Sequence, residues 1–259
     1  MEEPRGRVRQ FFHDALKDEW DGLERINRDL RLADLFTLLN ATMGFAALVL
    51  AAHGHWRWSI HLVFVGIIMD GVDGAVARMG KGNGPLGGAL DTLADACTFC
   101  ATPAVVAFVA LPQVRQDWHI ALYALPLGLY FLCGLLRLAR FESLRDGRKR
   151  FYFSGIPSPA AAGTLMALVL VGVHPGWLLV AAFYLGLLMV SRIRYPKLRG
   201  WWGVIAVTVL LAVLVTFQRT VLQTALTWAL LVFMAVYVVL GPFYVLARYG
   251  PARHHGAAV

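Results

Sequence analysis

Between residues 32 and 247 the chain alternates long apolar runs with short polar breaks. The runs are long enough to cross a bilayer, and eight spans are expected, at roughly 32–52, 57–79, 86–111, 118–141, 157–173, 176–192, 201–217 and 223–247. The breaks carry helix-ending residues: His53, Gly54 and His55, then Gly80 to Pro85, then His174, Pro175 and Gly176, and finally Gly200. Pro157 and Pro159 suit the first turn of the fifth span, where a missing backbone N–H costs nothing. Residues 7–31 follow a different rhythm. Val8, Phe11, Phe12, Ala15, Leu16, Trp20, Leu23, Ile26 and Leu30 recur every three or four positions, and Arg9, Asp14, Lys17, Asp18, Glu24, Arg25 and Arg28 fill the other face. This pattern predicts an amphipathic helix, lying in the headgroup plane or packed on the protein's own cytosolic face. The expected architecture is all-α. A cytosolic juxtamembrane helix over 1–31 precedes a membrane core over 32–199, and two further transmembrane helices and a short tail fill 200–259. Together they make a polytopic helical bundle of about eight transmembrane helices.

Composition agrees with this pattern. Only 15% of residues are charged, against about a quarter in soluble domains, so no soluble domain is expected. The charged opening stretch, residues 1–7, has no early apolar core, and no cleavable leader is expected. Charge also orients the chain. With the N-terminus inside, 21 of the 24 Lys and Arg residues fall on the inner side, and only Arg57, Arg115 and Arg219 face out. The positive-inside rule then predicts a multi-pass protein of the cell membrane with both termini cytoplasmic. The net charge of +8 reads as orientation and attraction to anionic membrane lipids, not as nucleic-acid binding, because it is dispersed among membrane loops. Cys97, Cys100 and Cys133 all fall within spans, and the lone Cys97–Cys100 pair lacks a second pair or a histidine cluster. Packing, not zinc, is expected of them. The histidines form no HExxH motif.

Four acids break the apolar pattern: Asp70, Asp73, Asp91 and Asp95. An aspartate at the centre of a membrane helix costs about 2.5–3.5 kcal/mol, so four cost on the order of 10 kcal/mol unless something cationic meets them. Spacings of i, i+3 and i, i+4 put each pair on one helix face. The short turn from Gly80 to Pro85 lets the two helices run antiparallel, so four carboxylates converge near the cytosolic side. Hard divalent cations prefer such oxygen ligands, and magnesium is commonly shared between carboxylates and phosphate oxygens. Gly71, Gly74, Ala75 and Ala77, with Gly87, Gly88 and Ala89, leave room for a nucleotide, and Arg78 is placed to contact phosphate. Two other readings use the same acids: structural pairing with arginines inside a bundle, and a transporter's cation site.

The segment resembles the CDP-alcohol phosphotransferase family. Its pattern is D-x-x-D-G-x-x-A-R-x8-G-x-x-x-D-x-x-x-D, and Asp70, Asp73, Gly74, Ala77, Arg78, Gly87, Asp91 and Asp95 fill every fixed position. The resemblance implies that Asp70, Asp73 and Asp91 hold divalent metal, Mg2+ or Mn2+. It implies that Asp95 completes the site and is the general base, with Asp91 beside it in the catalytic pair. The CDP-lipid would contact Asp73, Gly74, Arg78 and Gly87, with Thr37 and Asn40 of the first span. A homodimer is implied as well.

Three further patches are similar to the phosphatidylserine synthase branch: LLRLARF at 135–141, GIPSPAAAG at 155–163 and LMVSRIRYPK at 188–197. This implies transfer of the phosphatidyl group of CDP-diacylglycerol to L-serine, with release of CMP. Serine brings a carboxylate and an ammonium. Arg137 and Arg140 share a helix face and suit a carboxylate or phosphate, and Arg192, Arg194 and Lys197 offer a second anion site. Some positions depart from the family pattern. Ala33 and Asp34 stand where Pro and Asn are usual, the stretch 98–103 reads TFCATP for S-F-G-x-A-P, and Glu142 replaces Asn. The altered first span is compatible with CDP-archaeol as the lipid, which would give archaetidylserine. Inositol phosphate or glycerol phosphate are the alternative acceptors, and a cation or lipid transporter is the alternative of another class.

Overall fold

A computed structural model describes residues 32–78, 87–111, 117–143, 152–196, 201–216 and 220–249. The expected amphipathic helix over 1–31, the turn from Gly80 to Pro85 and Lys197 lie outside the described residues. The rest is a helical bundle. Its elements are α1 (Leu32–Ala52), α2 (Trp56–Arg78), α3 (Gly87–Asp95), a π turn (Ala96–Ala101), α4 (Thr102–Ala110), α5 (Asp117–Ser143), α6 (Ser158–Val171), α7 (Pro175–Val190), α8 (Trp201–Val215) and α9 (Thr220–Tyr249). Because α3, the π turn and α4 run on as one rod over Gly87–Ala110, the eight expected spans correspond to eight rods.

Five rods are long and apolar enough to cross a membrane, and the chain is a membrane protein. The other three are shorter than expected: α6 has 14 residues, α7 has 16 and α8 has 15. At about 1.5 Å per residue α6 reaches only about 21 Å, against about 30 Å of hydrocarbon. Its position explains this. Nine of its residues are buried, including Ala160 to Gly163, Leu165 and Met166, so it is sheathed by protein and has no bilayer to match.

The breakers act as their chemistry predicts. Gly54 takes φ 78°, and the His55 N–H closes back on the Leu50 carbonyl at 2.9 Å, ending α1. Gly172, at φ 75°, caps α6 in the same way. His174 accepts from the Gly176 N–H at 3.2 Å, with Pro175 opening α7.

One element departs from the all-α expectation. β1 (Tyr152–Ser154) pairs antiparallel with β2 (Arg194–Pro196), with Phe153 opposite Tyr195. The extended stretches before α6 and after α7 meet because those helices pack as neighbours with their strand-bearing ends together. Gly155 turns out of β1 at φ 80°, and its N–H donates to the Ile193 carbonyl at 2.8 Å. The ribbon clasps α9: Tyr195 packs on Tyr237 at 5.6 Å between ring centroids, and the Tyr237 hydroxyl donates to the Pro196 carbonyl at 3.0 Å. Burial pushes the Tyr195 phenol above its ordinary value, so it stays neutral in this contact. At the other end of the bundle His61 joins α2 to α9. Its Nδ1 lies 2.6 Å from the Arg57 carbonyl, which places the proton there, and its Nε2 accepts from the Gln223 amide at 3.1 Å.

Candidate active site

The paired acids project from facing stretches of α2 and α3. One carboxylate oxygen each from Asp70, Asp91 and Asp95 lie within 4.8 Å of one another. Two unit charges at that distance repel by about 3 kcal/mol at an effective dielectric of about 20, so the cluster calls for a cation. Asp73 is buried and accepts from Thr37 Oγ1 of α1 at 3.1 Å, the same hydroxyl lying 3.3 Å from the Ala33 carbonyl. All four aspartates line one cavity of about 430 Å³. Gly71 and Gly74 form part of its floor, so the backbone of α2 is open to a ligand there.

Arg137 of α5 enters the same cavity and is only 8% exposed. Its Nη1 donates to Ser158 Oγ at the start of α6, at 2.6 Å, and its guanidinium carbon lies 6.0 Å over the Phe153 ring. Its Nε has no hydrogen-bond partner, and neither has the buried Oδ1 of Asp95. Buried polar atoms are normally satisfied, so both mark where a ligand completes the site. A divalent cation fits on this ground: the donor set is hard oxygen throughout, Asp95 keeps an open acceptor, and the cavity admits phosphate beside it. Among the described residues lining the cavity, Arg137 is the only cation.

The remaining expected site residues are placed as follows. Gly87 is buried as the first residue of α3, and Arg78 ends α2. Asn40 is fully buried on α1, with both side-chain polar atoms unpartnered. Arg140 lies outside the cavity and donates to the Val190 carbonyl at the end of α7, at 3.4 Å. Arg192 is exposed, while Arg194 is half-buried on β2. The structure thus brings the four aspartates, Gly74 and Arg137 to one cavity and leaves Arg140, Arg192 and Arg194 outside its lining.

Sequence reasoning missed several contributors. Ser158, which holds Arg137, sits inside a patch noted only for its resemblance. Thr92 lines the cavity one residue after Asp91 and is 3.4 Å from the Glu142 carboxylate. Helices α8 and α9, which read as generic apolar sequence, supply Val207, Leu210, Leu230 and Met234 to the far wall. No signal in their composition separates these positions from lipid-facing ones.

Fold and site together define an integral membrane protein with an acidic cluster able to hold a cation, open to an apolar wall. The chain belongs to the CDP-alcohol phosphatidyltransferase family, whose profile matches residues 30–191. It is 33% identical over 183 residues to an archaetidylserine synthase of Methanothermobacter thermautotrophicus, covering 68% of this chain and 74% of that protein. It is 30% identical over 218 residues to a CDP-diacylglycerol–serine O-phosphatidyltransferase of Helicobacter pylori, covering 80% and 88%. A protein of the same name from Saccharomyces cerevisiae is 35% identical over 158 residues, covering 55% and 53%.

Proposed function

We propose that this chain transfers the phosphatidyl group of a CDP-diacylglycerol-type lipid to the hydroxyl of L-serine, releasing CMP and giving phosphatidylserine. The observation that carries the reading is the meeting of Asp70, Asp73, Asp91 and Asp95 with a single buried guanidinium, Arg137, around one cavity. Asp70, Asp73 and Asp91 would hold Mg2+ or Mn2+, with Asp95 completing the set. The metal would neutralise the pyrophosphate and the charge that develops on departing CMP. Asp95, with its open Oδ1, takes the proton from the serine hydroxyl as that oxygen bonds to the lipid-side phosphorus. The bond from phosphorus to the CMP oxygen breaks, and CMP leaves. Gly74, Arg78, Gly87, Thr37 and Asn40 serve the CDP moiety, Thr37 by holding Asp73 in place. Arg137 meets the serine carboxylate through Nε and a free N–H. The lipid tails lie along the apolar wall from α8 and α9. The working form is a homodimer in the cell membrane with the site facing the cytoplasm.

The similarity to proteins named CDP-diacylglycerol–serine O-phosphatidyltransferase favours serine over inositol phosphate or glycerol phosphate as the acceptor. A second reading, archaetidylserine formation from CDP-archaeol, is supported by the similarity to the Methanothermobacter relative. The test is purified protein with Mn2+ or Mg2+, each CDP-lipid in turn, and each alcohol in turn. CMP release is expected with serine and is lost on adding EDTA. Release only with another alcohol overturns the serine assignment, and cation flux without CMP release supports the transporter reading. The lipid giving the higher kcat/KM distinguishes the two products.

The basic residues outside the cavity have a gentler role. Arg140, Arg192, Arg194 and Lys197 draw anionic substrates to the mouth. Arg140→Ala is expected to raise the serine KM several-fold with kcat within about twofold, the signature of lost uniform binding. Unchanged serine kinetics would remove Arg140 from the acceptor path.

A further inference from the structure

Directly after Asp95 the third span changes its winding. Residues Ala96–Ala101 form a π turn, and the Thr102 N–H donates to the Cys97 carbonyl five residues back instead of four. One residue added to a turn rotates everything beyond it by roughly 100° relative to everything before. Pro103 supplies a reason. In a continuous α-helix its N–H would serve the Phe99 carbonyl, but proline has no N–H and its ring crowds that oxygen. The Tyr130 hydroxyl of α5 meets the Phe99 carbonyl instead, at 2.9 Å, with Tyr130 and Phe99 both fully buried.

Two threonines tie the same turn to α1. Thr98 Oγ1 donates to the Asn40 carbonyl at 2.9 Å, and Thr102 Oγ1 lies 2.8 Å from the Cys97 carbonyl and 3.2 Å from the Gly44 carbonyl. The fit leaves no slack. A Cβ on Gly44 would stand 2.9 Å from Thr98 Cα, and one on Gly134 would stand 3.1 Å from Cys100 Cβ.

We infer that Tyr130 is a positioning residue for Asp95. By holding the Phe99 carbonyl it maintains the π turn that begins at the next residue after Asp95, and so fixes the direction in which this carboxylate meets Asp70 and Asp91. Asp91 and Asp95 ride on the regular turn before the change of phase. Thr98, Phe99 and Cys100, buried against α1 and α5, lie within it. A rod of uniform winding cannot keep both faces in register: either the buried trio leaves its seat or Asp95 swings from the cavity. Tyr130 does not line the cavity, so its effect passes through the backbone. The inference rests on reading Asp95 as part of the reaction centre.

Tyr130→Phe keeps the buried ring and removes only the hydroxyl. The double variant Tyr130→Phe with Pro103→Ala returns a backbone N–H to the Phe99 carbonyl, in α winding. Both are compared with the wild-type full chain by serine-dependent CMP release, by thermal midpoint, and by the Mn2+ concentration that half-completes the Mn2+-induced rise in that midpoint. Tyr130→Phe is expected to lower kcat at least about tenfold, with both substrate KM values within about threefold, as displacement of a reacting group does. Half-saturating Mn2+ rises several-fold. The double variant regains the wild-type thermal midpoint without regaining kcat or Mn2+ affinity. Wild-type kcat and Mn2+ affinity in Tyr130→Phe overturn the inference. So does a double variant in which stability and kcat return together, because the hydroxyl then only satisfies a buried carbonyl. Thr102→Val, which removes the hydroxyl's bonds to the Cys97 and Gly44 carbonyls, asks the same question from the other end of the turn if Tyr130→Phe does not fold. If the wild-type chain releases no CMP with serine, the functional reading fails, and the Mn2+ titration still decides the positioning role.

Discussion

Asp91→Asn and Asp95→Asn each remove CMP release by at least about a thousandfold, since a positioned general base alone is worth about 10²–10⁴ and a metal ligand is lost in the same cluster. Asparagine preserves shape and deletes the charge, so the loss is chemical. The stability of the same variants separates an active centre from structural ion pairing. Asp70, Asp91 and Asp95 crowd one another within 4.8 Å. In the absence of metal these crowded carboxylates either repel one another or take up protons, and deleting one of them relieves that burden. The metal-free variants therefore melt no lower than metal-free wild type, and their rise in thermal midpoint on adding Mn2+ shrinks. A metal-free Asp95→Asn protein that melts well below wild type points to an acid retained for pairing with Arg137. Turnover within tenfold of wild type in both variants removes these residues from the chemistry.

Arg137→Ala has the second largest effect, a loss of at least about a hundredfold in kcat/KM for serine, accompanied by a lower thermal midpoint. Removing one member of a buried charge constellation typically costs about 3–5 kcal/mol, because the remaining charges are left uncompensated. Ser158 also loses its partner, bonded at 2.6 Å. Arg137→Lys tells binding from scaffolding. Lysine keeps the charge for the four aspartates but lacks the fork that holds Ser158 with one nitrogen and offers others to a carboxylate. It is expected to retain the fold while raising the serine KM by at least about tenfold. Steady-state kinetics against serine at saturating CDP-lipid measures this. An Arg137→Lys enzyme with wild-type serine KM would place the acceptor elsewhere.

Much of this site was legible because its chemistry is local. Asp70 and Asp73 lie within one turn of α2, as Asp91 and Asp95 lie within one turn of α3, so sequence spacing alone puts each pair on a face. Their meeting follows from the packing of both helices on α1, which spacing within either helix does not record. Arg137 and Arg140 show where such reasoning stops. Both share a face of α5, yet Arg137 turns into the cavity and Arg140 caps the end of α7 at Val190. The packing of α6 and α7 decides this, and spacing along α5 carries no record of it. The contributions of Leu230 and Met234 were illegible for the same reason, since an apolar residue facing lipid and one facing a pocket look alike in sequence. The π turn left one trace, Pro103 two turns beyond Asp95, but a proline inside a span predicts disruption without predicting its phase.

The short rods have a consequence for the surrounding bilayer. α6 is wrapped by protein, but α7 exposes Trp177, Val180, Phe183, Tyr184 and Leu187, and α8 exposes Leu211 and Val215. These two helices, with 16 and 15 residues, reach only about 22–24 Å at about 1.5 Å per residue, while α5 and α9, with 27 and 30 residues, exceed the hydrocarbon thickness. The protein thus wears an uneven hydrophobic collar, with short α7 standing beside long α5 and short α8 beside long α9. Lipids against α7 and α8 must compress or tilt to meet them, at a cost of fractions of a kcal/mol per Å of mismatch. That compression draws headgroups inward beside the helices that wall the cavity, where a lipid-borne pyrophosphate has to descend to reach the aspartates.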